Sequence, residues 1–491
     1  MNNQLLVPDA HLHIGDQRLG EGSGGVYEHI YSATGETHGS VPLAGVAEVN
    51  AAVDAADEAF KVWRSWLPAH RRDALYRLSK LIESNADEFC RLAVLDNGVT
   101  YEFAKYGPQI AEEWTAYYAG WADKIEGQLI SSNRQQRDLA YTLAEPYGVI
   151  GIIITWNGPL ISLAMKVVPA IAAGNTVVVK PSELTPYAAE HFMKLVREAG
   201  IPAGVVNMVP GGVDAGEALV SNPKVQKVSF TGGPSTARKI LAGCAEQLKP
   251  AILELGGKSA SLVFPDVDLN YVAAVAVYSS IVGLSGQGCA MPTRLLVHDK
   301  VYDTMIEKVS AVASSIRLGD PFDPATGAGP VVNEAAQTRI LAMIQRAQSE
   351  GSGKLLAGGR KPGGDLAEGY YVEPTVFGEV DPASEIAQVE VFGPVLAVLR
   401  FSSEVEAVEI ANSTNYGLAS YLWTNDLRRV QRVSEDLQAG GVYVNGGYPL
   451  ASGLPFGGLG VSGYGREGGR EGIYEFTRTK SVAIGSSNVE A

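Results

Sequence analysis

Apolar and polar positions along the chain fall into distinct regimes. Roughly the first 45 residues are turn-rich and carry no sustained period. From 49 to 94 the pattern is helical: Leu75, Leu78 and Ile82 recur at i, i+3 and i+7, and Pro68 separates two helical runs. Tyr117, Tyr118 and Trp121 belong to a further helix. The stretch 127–146 is polar and then alternating, with Leu139, Tyr141 and Leu143 on one side. It predicts a protruding hairpin that needs a partner surface to be stable.

From Gly148 the pattern becomes regular. Apolar strands at 149–154, 176–180, 205–209, 225–230 and 251–255 alternate with helices at 159–173, 214–220 and 236–247. A further helix opens on a Thr185–Pro186 cap pair and ends before Gly200. Such alternation predicts an α/β fold with parallel βαβ units in a doubly wound sheet, which binds ligands at the carboxyl ends of its strands. The second half repeats it: a helix at 271–283, a strand at 293–298, a helix at 302–316, and strands near 372–377, 395–401 and 419–423. These predict a second α/β lobe.

Composition narrows the function. Of 491 residues 46% are hydrophobic and 19% charged, enough to bury a large core and exclude a wholly disordered chain. The 56 glycines show no G-X-Y period. Lys+Arg is 39 against Asp+Glu 54, so the net charge is −15. That balance lacks the footprint of a nucleic-acid binder and the polybasic patch that draws a protein to anionic membranes. Three cysteines make no disulfide framework and point to a reducing compartment. The N-terminus carries no signal-peptide pattern. The most apolar helical stretch, 271–284, falls short of the roughly 20 residues that span a bilayer. A soluble cytoplasmic protein is expected.

Several motifs carry no chemistry. Three segments match G-x-G-x-x-G, at 20–25, 458–463 and 463–468, but none follows an apolar strand and opens a helix, so they read as turns. His11 and His13 flank Leu12 without further ligands, so they read as an ordinary surface strand and no metal site is expected. No H-E-x-x-H and no G-x-S-x-G is present. Cys90 and Cys244 sit on helices among apolar neighbours and read as small buried hydrophobes.

Cys289 is different. It follows a helix in G-L-S-G-Q-G-C-A-M-P, where glycines at 283, 286 and 288 let the backbone fold closely round the sulfur and keep the thiol accessible. A supported thiolate there is a nucleophile. Glu254 ends the apolar strand A-I-L-E-L, where a sheet of this kind meets its ligand; the alternative is a carboxylate satisfied by local N–H groups. Asn157 ends the first regular strand, and its amide can donate to a developing oxyanion or simply turn the chain into the next helix.

At these residues the sequence resembles the aldehyde dehydrogenase superfamily, from about residue 41 to 482. The matching segments stand in the family's order: Y-Y-A-G-W-A-D-K at 117–124, W-N at 156–157, G-N-T-V-V-V-K-P-S-E at 174–183, F-T-G at 230–232, E-L-G-G-K-S at 254–259, G-Q-G-C at 286–289, E-V-F-G-P at 390–394, N-Y-G-L at 415–418, P-F-G-G at 455–458 and S-G-Y-G-R-E at 462–467. Each is weak alone; the ordered set is specific.

The resemblance implies a Rossmann-like dinucleotide-binding domain (1–124 and 147–256), an α/β catalytic domain (257–466) and a small β oligomerisation element (125–146 and 467–491) of a homodimer or homotetramer. It implies that Cys289 attacks the aldehyde to give a thiohemiacetal whose oxyanion is held by the Asn157 amide and the Cys289 N–H. Hydride then passes to the nicotinamide, leaving a thioester, and Glu254 activates the water that releases the acid. Lys166 and Glu467 match positions that support Glu254 in proton transfer. For the cofactor it implies contacts from Ile153, Thr155, Trp156, Lys180, Ser182, Glu183, Gly212, Phe230, Thr231, Gly232, Gly233, Leu255, Glu390 and Phe392. A carboxylate at 183 accepts from a ribose 2′-OH and repels a 2′-phosphate, which favours NAD over NADP.

The chain departs from the family pattern at Thr155, which stands for the usual Pro before W-N. It departs also at Gly233, Pro234 and Ala237 in the pyrophosphate loop, and at Gly460 in place of a Lys. By resemblance the aldehyde tunnel is lined near Ile110, Gly158, Ser162, Met165, Leu450 and Phe456, none of them cationic. A carboxylated semialdehyde calls for an Arg or Lys there, so the expected substrate is a bulky apolar aldehyde, aromatic or terpenoid-like. The competing readings are a short aliphatic or semialdehyde substrate, a CoA-acylating enzyme, and a catalytically silent dinucleotide-binding protein. Retention of Glu254 favours water over CoA, and the intact set of Cys289, Glu254 and Asn157 argues against silence.

Overall fold

A computed structural model describes residues 5–131, 139–447 and 449–485. The regular alternation after Gly148 becomes an eight-stranded sheet. Its order is Gln17–Leu19, Leu12–Ile14, Val206–Met208, Thr176–Lys180, Val149–Ile153, Val225–Thr231, Ala251–Glu254 and Gly463–Tyr464. The five inner strands pair in parallel, and antiparallel pairs stand at both rims. Val149–Ile153 is buried at every position, as a parallel strand covered by helices on both faces must be. The chain winds outward from this strand through Thr176–Lys180 and Val206–Met208, then returns to its other side at Val225–Thr231. That reversal opens a crevice at the strands' carboxyl ends.

A second, seven-stranded sheet has the order Lys354–Ala357, Thr375–Gly378, Val395–Phe401, Arg294–His298, Ala260–Val263, Ala419–Trp423 and Gly441–Val444, all parallel except the first. The helix expected at 271–283 is instead composite. Leu269–Val277 is α-helical, Tyr278–Val282 widens into a π turn and Gly283–Gly286 tightens, with Leu284 and Ser285 at φ 48° and 51°. An all-round apolar run gives no sign of such a change of winding. The whole stretch Leu269–Gly286 has the length and apolarity of a membrane span. Val272, Ala273, Ala276, Val277 and Ile281 nevertheless pack in one core with Leu295, Val297, Leu396 and Val398 of the second sheet.

A third, antiparallel sheet joins Leu129–Ser131, Leu139–Pro146 and Thr477–Ile484, with unbroken register from Thr477 opposite Pro146 to Ile484 opposite Leu139. It leaves Leu129, Ile130, Leu139, Leu143 and Ile484 exposed. The tip of the expected hairpin, residues 132–138, lies outside the described residues, as do parts of the terminal segments assigned above.

Three local expectations need correction. The first 45 residues hold two hairpins, Leu12–Ile14 with Gln17–Leu19 and Gly25–Tyr31 with Glu36–Leu43. Their strands are short or bury few side chains, so no hydrophobic period announces them. His13 is not a surface residue: it is buried, and its Nε2 lies 2.7 Å from Glu190 Oε2. Thr185 does not cap the Tyr187–Glu198 helix. The Asp96 carboxylate accepts from the Tyr187 and Ala188 N–H groups, each at 2.9 Å. That partner lies 91 and 92 residues away from the amides it caps.

Candidate active site

The candidate residues gather where segments leaving the two large sheets meet. The Val149–Ile153 strand runs out through Thr155 and Trp156 to Asn157, and Pro159 opens the next helix at its first turn. This helix, Pro159–Ala172, is buried almost all round, so its one charged side chain, Lys166, must find partners inside. Its ammonium donates to Ser229 Oγ (3.0 Å) and to the Glu467 carboxylate, itself buried.

Glu254, at the end of its strand, is buried and neither carboxylate oxygen has a hydrogen-bond partner among the described residues. Burial first, and the Glu467 carboxylate second, hold it well above the ordinary carboxylate range, with Lys166 opposing. The alternative of a carboxylate satisfied by local N–H groups therefore fails. The neighbouring backbone is glycine by necessity. A Cβ on Gly457 would stand 2.9 Å from Glu254 Oε1, and one on Gly257 would stand 2.4 Å from the Cys289 carbonyl oxygen.

Cys289 keeps partial exposure. Burial of its sulfur, with Glu390 and Glu254 adding to it, pushes the thiol up to about 12, while the N–H groups of Ala290 and of Cys289 itself oppose the rise. Cys90 and Cys244 are buried, as expected of inert thiols, and burial pushes them up as well. Asn157 reaches the same loop: its Nδ2 donates to the Gln287 carbonyl at 2.9 Å, which leaves the second amide N–H uncommitted by that contact. Ile110, Met165 and Phe456 are buried in one apolar cluster against which Leu450, Cys289 and Ala290 pack. Gly158 and Ser162 are partly exposed at the start of the Pro159–Ala172 helix, whose Leu160, Leu163 and Met165 belong to that cluster.

The crevice side suits a dinucleotide. The helices Val213–Ser221 and Pro234–Glu246 begin at Gly212 and Gly233 without side-chain caps, and a Cβ on either glycine would meet nothing within 4 Å. Open amides at helix N-termini in open space are a seat for phosphate. Gly232 continues the Val225–Thr231 strand; its N–H donates to the Glu254 carbonyl, and its α-carbon lies against the Phe230 ring. Lys180 ends its strand with Nζ 3.9 Å from Glu183 Oε2; burial lowers its affinity for a proton and Glu183 opposes this. Ser182 Oγ accepts from the Leu184 N–H, so it shapes the turn. Ile153 and Leu255 are buried in one core with Phe230.

From the other sheet the 390–394 loop closes over. Glu390 accepts from the Gly257 N–H at 2.9 Å and is pushed up to about 7 by burial. Phe392 adopts φ 50° and sets its ring perpendicular to Trp156, with centroids 5.4 Å apart.

Four participants escaped the sequence reading: Gln287, Tyr421, Ser229 and Lys258. Gln287 Nε2 donates to the Leu284 carbonyl and its Oε1 accepts from the Val332 N–H. The Tyr421 hydroxyl donates to the Ala290 carbonyl at 2.8 Å. Ser229 reads as a strand interior, and Lys258 as a polar neighbour of the E-L-G-G motif. Lys258 is in fact fully buried and pushed down to about 7 by burial. Gln287 had a usable signal, its place inside the G-Q-G-C motif; an aromatic in a strand, such as Tyr421, reads only as core.

Comparison with known proteins places the chain in a family. The model of the Aldehyde dehydrogenase family matches residues 20–482. An aldehyde dehydrogenase of Enchytraeus buchholzi is 39% identical over 98% of this chain and 96% of its own. A phenylacetaldehyde dehydrogenase of Pseudomonas fluorescens is 38% identical over 93% of this chain and 92% of its own. The solved structure of an aldehyde dehydrogenase from Bacillus cereus in complex with NAD+ superposes with a TM-score of 0.93 at 37% identity, covering 97% of this chain and 96% of the other. The chain belongs to the aldehyde dehydrogenase family, enzymes that oxidise aldehydes with a nicotinamide dinucleotide.

Proposed function

We propose that the enzyme oxidises a bulky apolar aldehyde, aromatic or terpenoid-like, to its carboxylic acid with NAD, through a covalent adduct on Cys289. The observation that carries the chemistry is Cys289 packed against one apolar cluster and within electrostatic reach of the unpartnered Glu254, with Asn157 tied to the Cys289 loop. Cys289 gives its proton to solvent water and its Sγ bonds to the aldehyde carbon. The oxyanion takes hydrogen bonds from the free Asn157 N–H and the Cys289 N–H. When bound, the nicotinamide supplies the acceptor for the hydride that leaves this carbon. Glu254 then takes a proton from water; the hydroxide adds to the thioester, the C–S bond breaks and the thiol is restored. A carboxylate whose affinity for a proton is raised by burial is a stronger base than an exposed one. Lys166 and Glu467 give its proton an exit.

The cofactor is held by Gly212, Gly232 and Gly233 at the pyrophosphate, by Lys180 and Glu183 at the adenosine ribose, and by Glu390, Phe392 and Trp156 at the nicotinamide end. Glu183 disfavours a 2′-phosphate. The lining of Ile110, Met165, Leu450 and Phe456 supports the apolar substrate. The exposed apolar strip of the three-stranded sheet supports a homodimer or homotetramer. Three free thiols accord with a reducing, cytoplasmic setting.

The test is Cys289→Ala with a panel of aldehydes and both cofactors, with and without CoA. The variant should bind NAD and oxidise nothing; unchanged turnover refutes the assignment. The wild type should favour benzaldehyde-like substrates and release free acid whether or not CoA is present. A higher kcat/KM for a short dicarboxylic semialdehyde overturns the substrate reading.

A further inference from the structure

The geometry points to Tyr421 as a positioning residue for the Cys289 nucleophile, acting through the Ala290 carbonyl; the inference rests on the reading of Cys289 given above. The loop that carries Cys289 is intrinsically soft. It holds glycines at 283, 286 and 288, and Leu284 and Ser285 sit in left-handed conformations that most residues avoid. Its carbonyls are fixed one at a time, by the loop's own Gln287 and by partners outside it. The Gln287 side chain donates to the Leu284 carbonyl (2.9 Å), and Asn157 donates to the Gln287 carbonyl (2.9 Å). The Cys289 carbonyl is pressed against Gly257. The Tyr421 hydroxyl donates to the Ala290 carbonyl (2.8 Å).

The direction of the amides follows. In a trans peptide the C=O and N–H point opposite ways. With the Cys289 carbonyl turned to Gly257, the Ala290 N–H of the same peptide is turned away from it, toward the sulfur that it supports. Rotation at Ala290 would tip that peptide, and the Tyr421 hydrogen bond closes the rotation. Tyr421 itself is firmly seated. It lies mid-strand in Ala419–Trp423, paired with Ser261 on one side and Tyr443 on the other, and its ring leans on the Tyr443 ring at 5.5 Å between centroids. It is only partly exposed.

Tyr371 provides a matched comparison. It is buried, donates to the Gly319 carbonyl at 2.9 Å, and has no place in the site. Full-length Tyr421→Phe and Tyr371→Phe each lose one hydroxyl and keep the ring. Rates of inactivation by iodoacetamide, corrected with Cys289→Ala, are measured alongside kcat, KM and thermal unfolding. Tyr421→Phe should lower both kcat and the alkylation rate by about 3- to 10-fold, the value of one hydrogen bond. KM for the aldehyde should stay unchanged, and the alkylation profile should move to higher pH. Tyr371→Phe should change neither rate, whatever it does to unfolding. A Tyr421→Phe enzyme that alkylates and turns over like wild type, or that changes only in KM, overturns the positioning role. Turnover by Cys289→Ala would instead overturn the nucleophile assignment beneath it.

Discussion

Gly257→Ala isolates the packing between the Glu254 strand end and the Cys289 loop. The new methyl would lie 2.4 Å from the Cys289 carbonyl oxygen and 3.3 Å from the Leu418 Cβ. Ordinary contact begins near 3.4 Å, so one side must yield by about 1 Å. Leu418 is buried in the same apolar cluster as Phe456 and Met165 and gives little room. The glycine-rich loop is softer, so Cys289 moves. A misplacement of about 1 Å at the reacting atoms lowers the rate on the order of 10²-fold, or about 2.7 kcal/mol of activation free energy. Steady-state kcat, with thermal unfolding to confirm a folded enzyme, measures this. Gly107→Ala is the control, since a Cβ there meets nothing within 4 Å. A Gly257→Ala enzyme with kcat within about 3-fold of wild type would refute the argument that this contact sets the sulfur's position.

Other outcomes follow from the same geometry. Glu254, the proposed base, has a raised affinity for a proton. Turnover limited by thioester hydrolysis should therefore rise with pH through a limb displaced above the ordinary carboxylate range, and a pH–kcat profile limited only below pH ~4.3 would count against it. Lys166→Met removes one partner of a buried pair and leaves Glu467 charged inside the core. Stability should fall by about 3–5 kcal/mol in denaturant titrations, and the Glu254 limb should move further up in pH because Lys166 no longer opposes the rise. Glu183→Ser removes the carboxylate beside Lys180. Its kcat/KM for NADP should increase about 10-fold or more, the value of roughly 1.4 kcal/mol of relieved repulsion, and no gain would show that other groups exclude the 2′-phosphate.

The parallel sheets were legible because their strands are continuous apolar runs separated by helical ones, a local signal. Cys289, Glu254 and Asn157 were legible because each ends or follows such a run. What escaped depends on partners far away in sequence. Asp96 caps Tyr187 across 91 residues, and His13 meets Glu190 across 177, so neither pairing leaves a trace in any local window. The N-terminal hairpins escaped because Gly25–Tyr31 buries only two of its seven residues and offers no alternating apolar face. Tyr421 escaped because a strand tyrosine fills space and donates a hydrogen bond with the same side chain, and only the first property shows in a pattern.

The covalent step is tested most directly by mass spectrometry of Glu254→Gln enzyme mixed with aldehyde and NAD. The account predicts one equivalent of reduced cofactor per active site, followed by a stalled acyl group on the tryptic peptide that holds Cys289. Continued turnover with no adduct, or an acyl group carried on Cys90 or Cys244, would contradict it.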